Sequence, residues 1–97
     1  MLKVVAKMNL KSEEDMEKFL EIGRQVIEKT NALDKGCVSY ELCQETQDPL
    51  QFVMLECWES QEALDNHTKA PHFTELVPKM DAYCIGGPNV TVYKKLL

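Results

Sequence analysis

Residues 51–59, QFVMLECWE, constrain the fold more than any other stretch of this chain. Phe52, Met54, Glu56 and Trp58 alternate with Val53, Leu55 and Cys57. An extended strand here is therefore apolar on both faces. Such a strand belongs in a sheet whose two sides are both covered. The preceding stretch 36–46, GCVSYELCQET, also alternates, with Val38, Tyr40 and Leu42 opposite Cys37, Ser39, Glu41 and Cys43. Gln47-Asp48-Pro49 between the two stretches is a turn signal, so the pair reads as a hairpin.

The remaining elements follow from period and punctuation. Residues 1–9 alternate, with Val4, Ala6 and Met8 on one face of a first strand. Ser12 before Glu13-Glu14-Asp15 is a helix start, and acids suit the positive end of a helix dipole. Met16, Phe19, Leu20, Gly23, Val26 and Ile27 then form one apolar stripe on a helix of about 17 residues. Thr30 to Gly36 is expected as a connection. Gly36 is free to take a positive φ on entry to the next strand. Ser60 caps a second helix that ends before Pro71. Pro71 opens a short third helix, and Pro78 is expected to close it. Gly86-Gly87-Pro88 breaks the chain before a last strand at Val90 to Lys95.

The order is βαββαβ with a broken second helix. We expect one domain over residues 1–97, since this length leaves no room for a second core. The fold class is α+β, ferredoxin-like, with four antiparallel strands and the helices on one face. The other face would then be bare. The two-sided apolar pattern predicts a partner, and a symmetric homodimer is the commonest kind.

Composition narrows the function. The chain carries 16 acidic and 11 basic residues, for a net charge of −5. The lysines are scattered, so nucleic acid is not an expected partner. No apolar run approaches the ~20 residues that span a bilayer, so no membrane association is expected. Residues 1–7 show no signal-peptide core, which makes the cytoplasm the expected compartment. The four cysteines, Cys37, Cys43, Cys57 and Cys84, form no C-x-x-C pair and read as reduced core thiols. Structural zinc ligands usually come in close pairs, so no metal site is expected.

The stretches Gly36-Cys37-Val38-Ser39-Tyr40-Glu41-Leu42, residues 52–60 and Ala63-Leu64-x-x-His67-x-x-x-Pro71-His72-Phe73 resemble the antibiotic biosynthesis monooxygenase family. The resemblance covers essentially the whole chain and is most specific over residues 36–77. It implies a ferredoxin-like protomer whose sheet meets that of a second copy in a dimeric α+β barrel. It also implies oxygenation of a phenolic or quinol substrate by O₂, with no metal, flavin or haem cofactor. The haem-degrading relatives fit poorly. The position of their helix tryptophan falls on His67, and that of their later histidine falls near Val77, which cannot ligate iron. Asn9 stands one place off their first-strand asparagine, which puts it on the opposite face.

Oxygenation without a cofactor needs a base near neutral pH, a dry apolar cavity and donors that hold a phenolate. His67 is the expected base, with His72 as the second catalytic candidate. Tyr40, Asn9 or Ser39 is expected to orient an oxygen, and Trp58, Met54 and Phe73 to form apolar wall. Glu56 is counted with these substrate-binding candidates, but as a carboxylate within an apolar strand it is expected to be paired, with an inward lysine or a backbone amide, if buried. Two other readings stand beside this one. An isomerase or lyase would use the same histidines on an oxygenated metabolite, and a phosphorylated one would need Lys7 or Lys69 as anchor. A non-catalytic dimeric protein would bind a small molecule without turnover.

Overall fold

A computed structural model describes residues 1–97. Strands β1 (Leu2–Asn9), β2 (Cys37–Gln44), β3 (Gln51–Trp58) and β4 (Asn89–Lys94) form one antiparallel sheet in the order β2-β3-β1-β4. Helices α1 (Met16–Leu33), α2 (Gln61–Lys69) and α3 (Pro71–Asp81) cover one face. This is the ferredoxin-like arrangement the element order predicts.

The core lies between helices and sheet. Val4, Ala6 and Met8 of β1 and Phe52, Met54 and Trp58 of β3 point into it. Phe19, Gly23, Val26 and Thr30 supply the buried stripe of α1. Phe19 meets Phe52 with ring centroids 4.9 Å apart. Ser12 accepts a hydrogen bond from the Glu14 amide as expected, but caps a single 3₁₀ turn, Glu13–Asp15, that runs into α1.

The structure corrects three local expectations. Helix α1 does not give way at Thr30 but continues to Leu33. Nothing in Asn31-Ala32-Leu33 breaks it, and the Asp34 amide closes the last turn on the Thr30 carbonyl at 3.0 Å. Strand β2 does not alternate throughout. Cys37 pairs with Trp58 and Ser39 with Cys57, so Val38 is one residue too many. This bulge turns Cys37 toward the helices and leaves Val38 50% exposed, while Tyr40 and Leu42 face inward as expected. Helix α3 does not close at Pro78 but runs through it to Asp81. A proline costs one amide bond, and the buried Met80 and the Ala82 amide on the Pro78 carbonyl hold the turn beyond it.

The other expected punctuation is in place. Ser60 Oγ accepts from the Ala63 amide at 3.1 Å. Pro71 occupies the first turn of α3 and holds Ala70 in an extended conformation. Gly36 has φ +82°. All four cysteines are free thiols. The second face of the sheet, with Val5, Lys7, Val53, Leu55, Glu41 and Tyr93, carries no helix. No helix is long and apolar enough to cross a membrane.

Candidate functional site

Between the sheet and the helices lies a cavity of about 190 Å³. Val4, Ala6, Met8 and Met54 form its floor, and Leu64, Phe73, Val77 and Met80 its roof. Pro88 and Val90 border it beside β4. Tyr40, Glu56 and His67 bring polar atoms to this apolar space, and Thr68 and Asp81 complete the wall. Neither lysine nor arginine lines it.

His67 lies in the last turn of α2, which Ser60 starts and Pro71 stops. It is 1% exposed. Its ring packs against Trp58 at 4.6 Å, and against Phe73 and Tyr40 edge-on at 5.0 and 5.1 Å. Nδ1 lies 2.6 Å from Oδ2 of Asp34. A carboxylate oxygen only accepts, so Nδ1 carries the proton and the neutral ring presents a lone pair at Nε2. Nε2 is buried and has no hydrogen-bond partner in the protein. Burial lowers the His67 pKa below its ordinary value, against an opposing pull from Asp34 and with a smaller push from His72. The ring is therefore neutral near pH 7 and available as a base.

His72 lies behind His67. Its Nε2 donates to the same Asp34 oxygen at 2.9 Å, and the rings are 6.0 Å apart. It is buried but does not line the cavity, so any role in chemistry passes through Asp34. The three residues have the make-up of a metal-ligating set, with donor atoms within 4.8 Å of one another. His67 Nδ1 and His72 Nε2 share Oδ2 of Asp34 through these two hydrogen bonds.

Glu56 is 8% exposed, on the inward face of β3. Its Oε1 accepts from the Trp58 indole at 2.9 Å. Burial raises its carboxyl to about 7, and the indole bond only partly offsets this. Tyr40 stands beside it across the β2–β3 pair. Burial, with a contribution from Glu56, pushes its hydroxyl far above the usual range, so it remains a donor. Cys37 is raised to about 11, chiefly by burial, which leaves an inert thiol rather than a nucleophile.

Of the residues expected at a site, His67, Tyr40, Glu56, Met54 and Phe73 meet in one cavity. Trp58 does not line it; the indole is fully buried and holds His67 and Glu56 from behind. Asn9 is on the opposite face of the sheet, in a groove with Lys7 and Gln51, because odd-numbered residues of β1 point away from the helices. Lys7 and Lys69 do not reach the cavity. Asp34 is the residue the sequence reading missed. It follows α1 in what reads as a connection, where aspartate is ordinary, and nothing in its spacing ties it to residues 33 and 38 positions later.

The sheet order, the helices on one face and a small apolar cavity with few polar atoms define a ferredoxin-like α+β protein with an interior site. The chain belongs to the antibiotic biosynthesis monooxygenase family, whose family model matches residues 1–79. Similar solved structures include an antibiotic biosynthesis monooxygenase at 33% identity over all of both chains, with a TM-score of 0.90. A conserved protein from Methanosarcina mazei Go1 is 29% identical over 98% of this chain and 92% of that one, with a TM-score of 0.92. Rv0793 from Mycobacterium tuberculosis, 22% identical over 99% and 96% of the two chains with a TM-score of 0.85, shares the fold. No match is found among curated proteins.

Proposed function

We propose that this protein is a monooxygenase acting with O₂ on a small phenol or quinol, with His67 as general base and no cofactor. The observation that carries the reading is His67, a residue of the apolar cavity's wall whose Nε2 is buried without a hydrogen-bond partner, while Asp34 holds the proton on the other ring nitrogen. Nε2 takes the phenolic proton, and the resulting phenolate is a far better electron donor than the phenol. Dioxygen then adds at a ring carbon bearing hydrogen. Loss of water from the peroxide leaves a carbonyl there. A phenol thus gives a quinone and water: one oxygen atom enters the ring, the other leaves as water, and the substrate supplies all four electrons. The apolar walls admit O₂ and keep out competing water.

The cavity also sets size. A cavity of roughly 150 Å³ holds a benzene molecule, so about 190 Å³ suits one ring with small substituents. The absence of lysine and arginine from the walls favours this reading over an isomerase of a phosphorylated metabolite. The family's printed description as monooxygenases supports the reaction class. The uncovered sheet face supports a symmetric homodimer in which a second copy covers Val5, Val53 and Leu55.

The test is oxygen consumption by metal-stripped protein with a panel of small quinols, corrected for spontaneous oxidation, with His67→Ala alongside. Uptake that requires His67 supports the reading. No uptake above background by the folded wild type, across the panel, removes it.

A further inference from the structure

The cavity holds a second polar device that base catalysis leaves unused. Glu56 Oε1 is committed to the Trp58 indole, and no protein group bonds the other oxygen, Oε2. The Tyr40 hydroxyl beside it also lacks a protein partner, as does His67 Nε2. Glu56, Tyr40 and His67 therefore bring polar groups to the lining of one apolar cavity, and of these only His67 Nε2 is fully buried without a partner. Polar groups that line an apolar cavity without protein partners suit a ligand that pairs them.

The charges around Glu56 decide which ligand. On β2 it faces Tyr40 and, further off, Cys37; on α2 it faces His67, with Asp34 and His72 behind. On α3 the cavity wall carries Asp81, and β1 contributes only Val4, Ala6 and Met8. No cation accompanies the carboxyl, and a single indole N–H is its one donor. A buried carboxyl so placed is better accommodated with its proton, and the proton belongs on Oε2, because Oε1 is accepting. The burial-raised titration near 7 agrees.

We propose that Glu56 is a substrate-positioning residue that donates its carboxylic O–H to an acceptor oxygen on a neutral ring, so that the cavity selects uncharged oxygenated aromatics and rejects carboxylates and phosphates. The proposal deepens the oxygenase reading and rests on the same cavity, with the oxygen opposite His67 as the one Glu56 holds. Deprotonation of Glu56 turns a donor into an unaccompanied anion and removes the selection.

The test uses binding without oxygen chemistry. Acetophenone and ethylbenzene have similar size, neither titrates, and only the first has an acceptor oxygen. Binding is followed through the indole N–H resonance of Trp58, the only tryptophan, in wild type, Glu56→Gln and Glu56→Ala. In wild type at about pH 6, acetophenone is expected to bind on the order of ten-fold more tightly than ethylbenzene. At about pH 8.5 the advantage falls to roughly two-fold or less. Glu56→Gln, whose amide donates at every pH, keeps an advantage that no longer varies with pH. Glu56→Ala shows none, and benzoate binds none of the three proteins. Without ligand, the wild-type indole resonance shifts with a midpoint near 7; the shift is lost in Glu56→Gln, and any change below about 6.5 that survives there belongs to a histidine. An advantage unchanged between the two pH values, or retained by Glu56→Ala, overturns the proposal. Absent oxygen uptake with intact Glu56-dependent selection removes the oxygenase reading alone.

Discussion

Nδ1 of His67 and Oδ2 of Asp34 are 2.6 Å apart, which ties the end of α2 to the residue that follows α1. The same oxygen accepts from His72 at 2.9 Å. Asp34 thereby fixes the His67 tautomer and leaves the lone pair on Nε2. Asp34→Asn keeps the shape but removes the negative charge from the acceptor that holds two rings. Under the proposed mechanism, oxygen uptake in Asp34→Asn falls about 10²-fold or more in kcat, with KM little changed. His67→Ala and the double variant fall by a similar factor, because the two residues act as one unit. A drop confined to KM would assign Asp34 to binding instead.

Glu56 makes stability depend on pH in a defined direction. Its carboxyl is raised from 4.5 to about 7 in the folded chain, so the native state keeps a proton that the unfolded chain has lost. Stability therefore declines as pH rises from about 4.5 to about 7 and levels off above. A displacement of this size corresponds to roughly 3 kcal/mol at most. Glu56→Gln keeps an acceptor for the Trp58 indole and removes the titration. Urea unfolding at several pH values between about 5 and 8 should show the variant gaining on wild type as pH rises. Parallel curves would contradict the burial argument.

Two glycines with positive φ separate backbone strain from crowding. At Gly36, φ is +82° and a Cβ would stand 2.6 Å from Ala63 Cβ, while the Gly36 carbonyl accepts from the Glu59 amide at 2.8 Å. At Gly86, φ is +68° and a Cβ would meet nothing within 4 Å. Gly86→Ala should cost about 1 kcal/mol, the cost of the left-handed conformation alone. Gly36→Ala adds a collision between β2 and α2 and should cost about 2–4 kcal/mol. Denaturant midpoints check the order. Equal costs would mean that α2 shifts freely away from Gly36.

Period and punctuation made most of this fold legible. The alternation of 51–59, the Ser60 cap and the Pro71 break each correspond to a local physical rule, and the strand, the cap and the break are all present in the structure. The errors arose where tertiary packing overrode the local signal. Pro78 ends a helix by local rule, yet the burial of Met80 carries α3 past it. Val38 alternates correctly in sequence, yet one bulge removes it from the core. The site divides in the same way. His67, Tyr40 and Glu56 stand out as polar residues within apolar patterns, and the fold brings them to one cavity. Asp34 carries no such mark, because its meaning comes from two histidines more than thirty residues away. Asn9 failed on parity: one step along β1 changes the face.

The uncovered sheet face gives the last prediction. Leu55 is 37% exposed, beside Val5 on β1 and Glu41 on β2, and Val53 stands next along the strand between Lys7 and Cys43. In the proposed homodimer a second copy buries this strip. Leu55→Lys places a cation in its middle, where a second copy would have to strip its water, a cost that the neighbouring Glu41 offsets only in part. Sedimentation should show wild type as a dimer at micromolar concentration and Leu55→Lys as a monomer. Because neighbouring residues of a strand point to opposite faces, the substitution leaves Glu56 and the cavity in place. The Trp58 indole resonance should therefore keep its midpoint near 7 in the monomer. A monomeric wild type would remove the dimer, and a lost indole titration in the variant would mean that the second copy helps to shape the cavity.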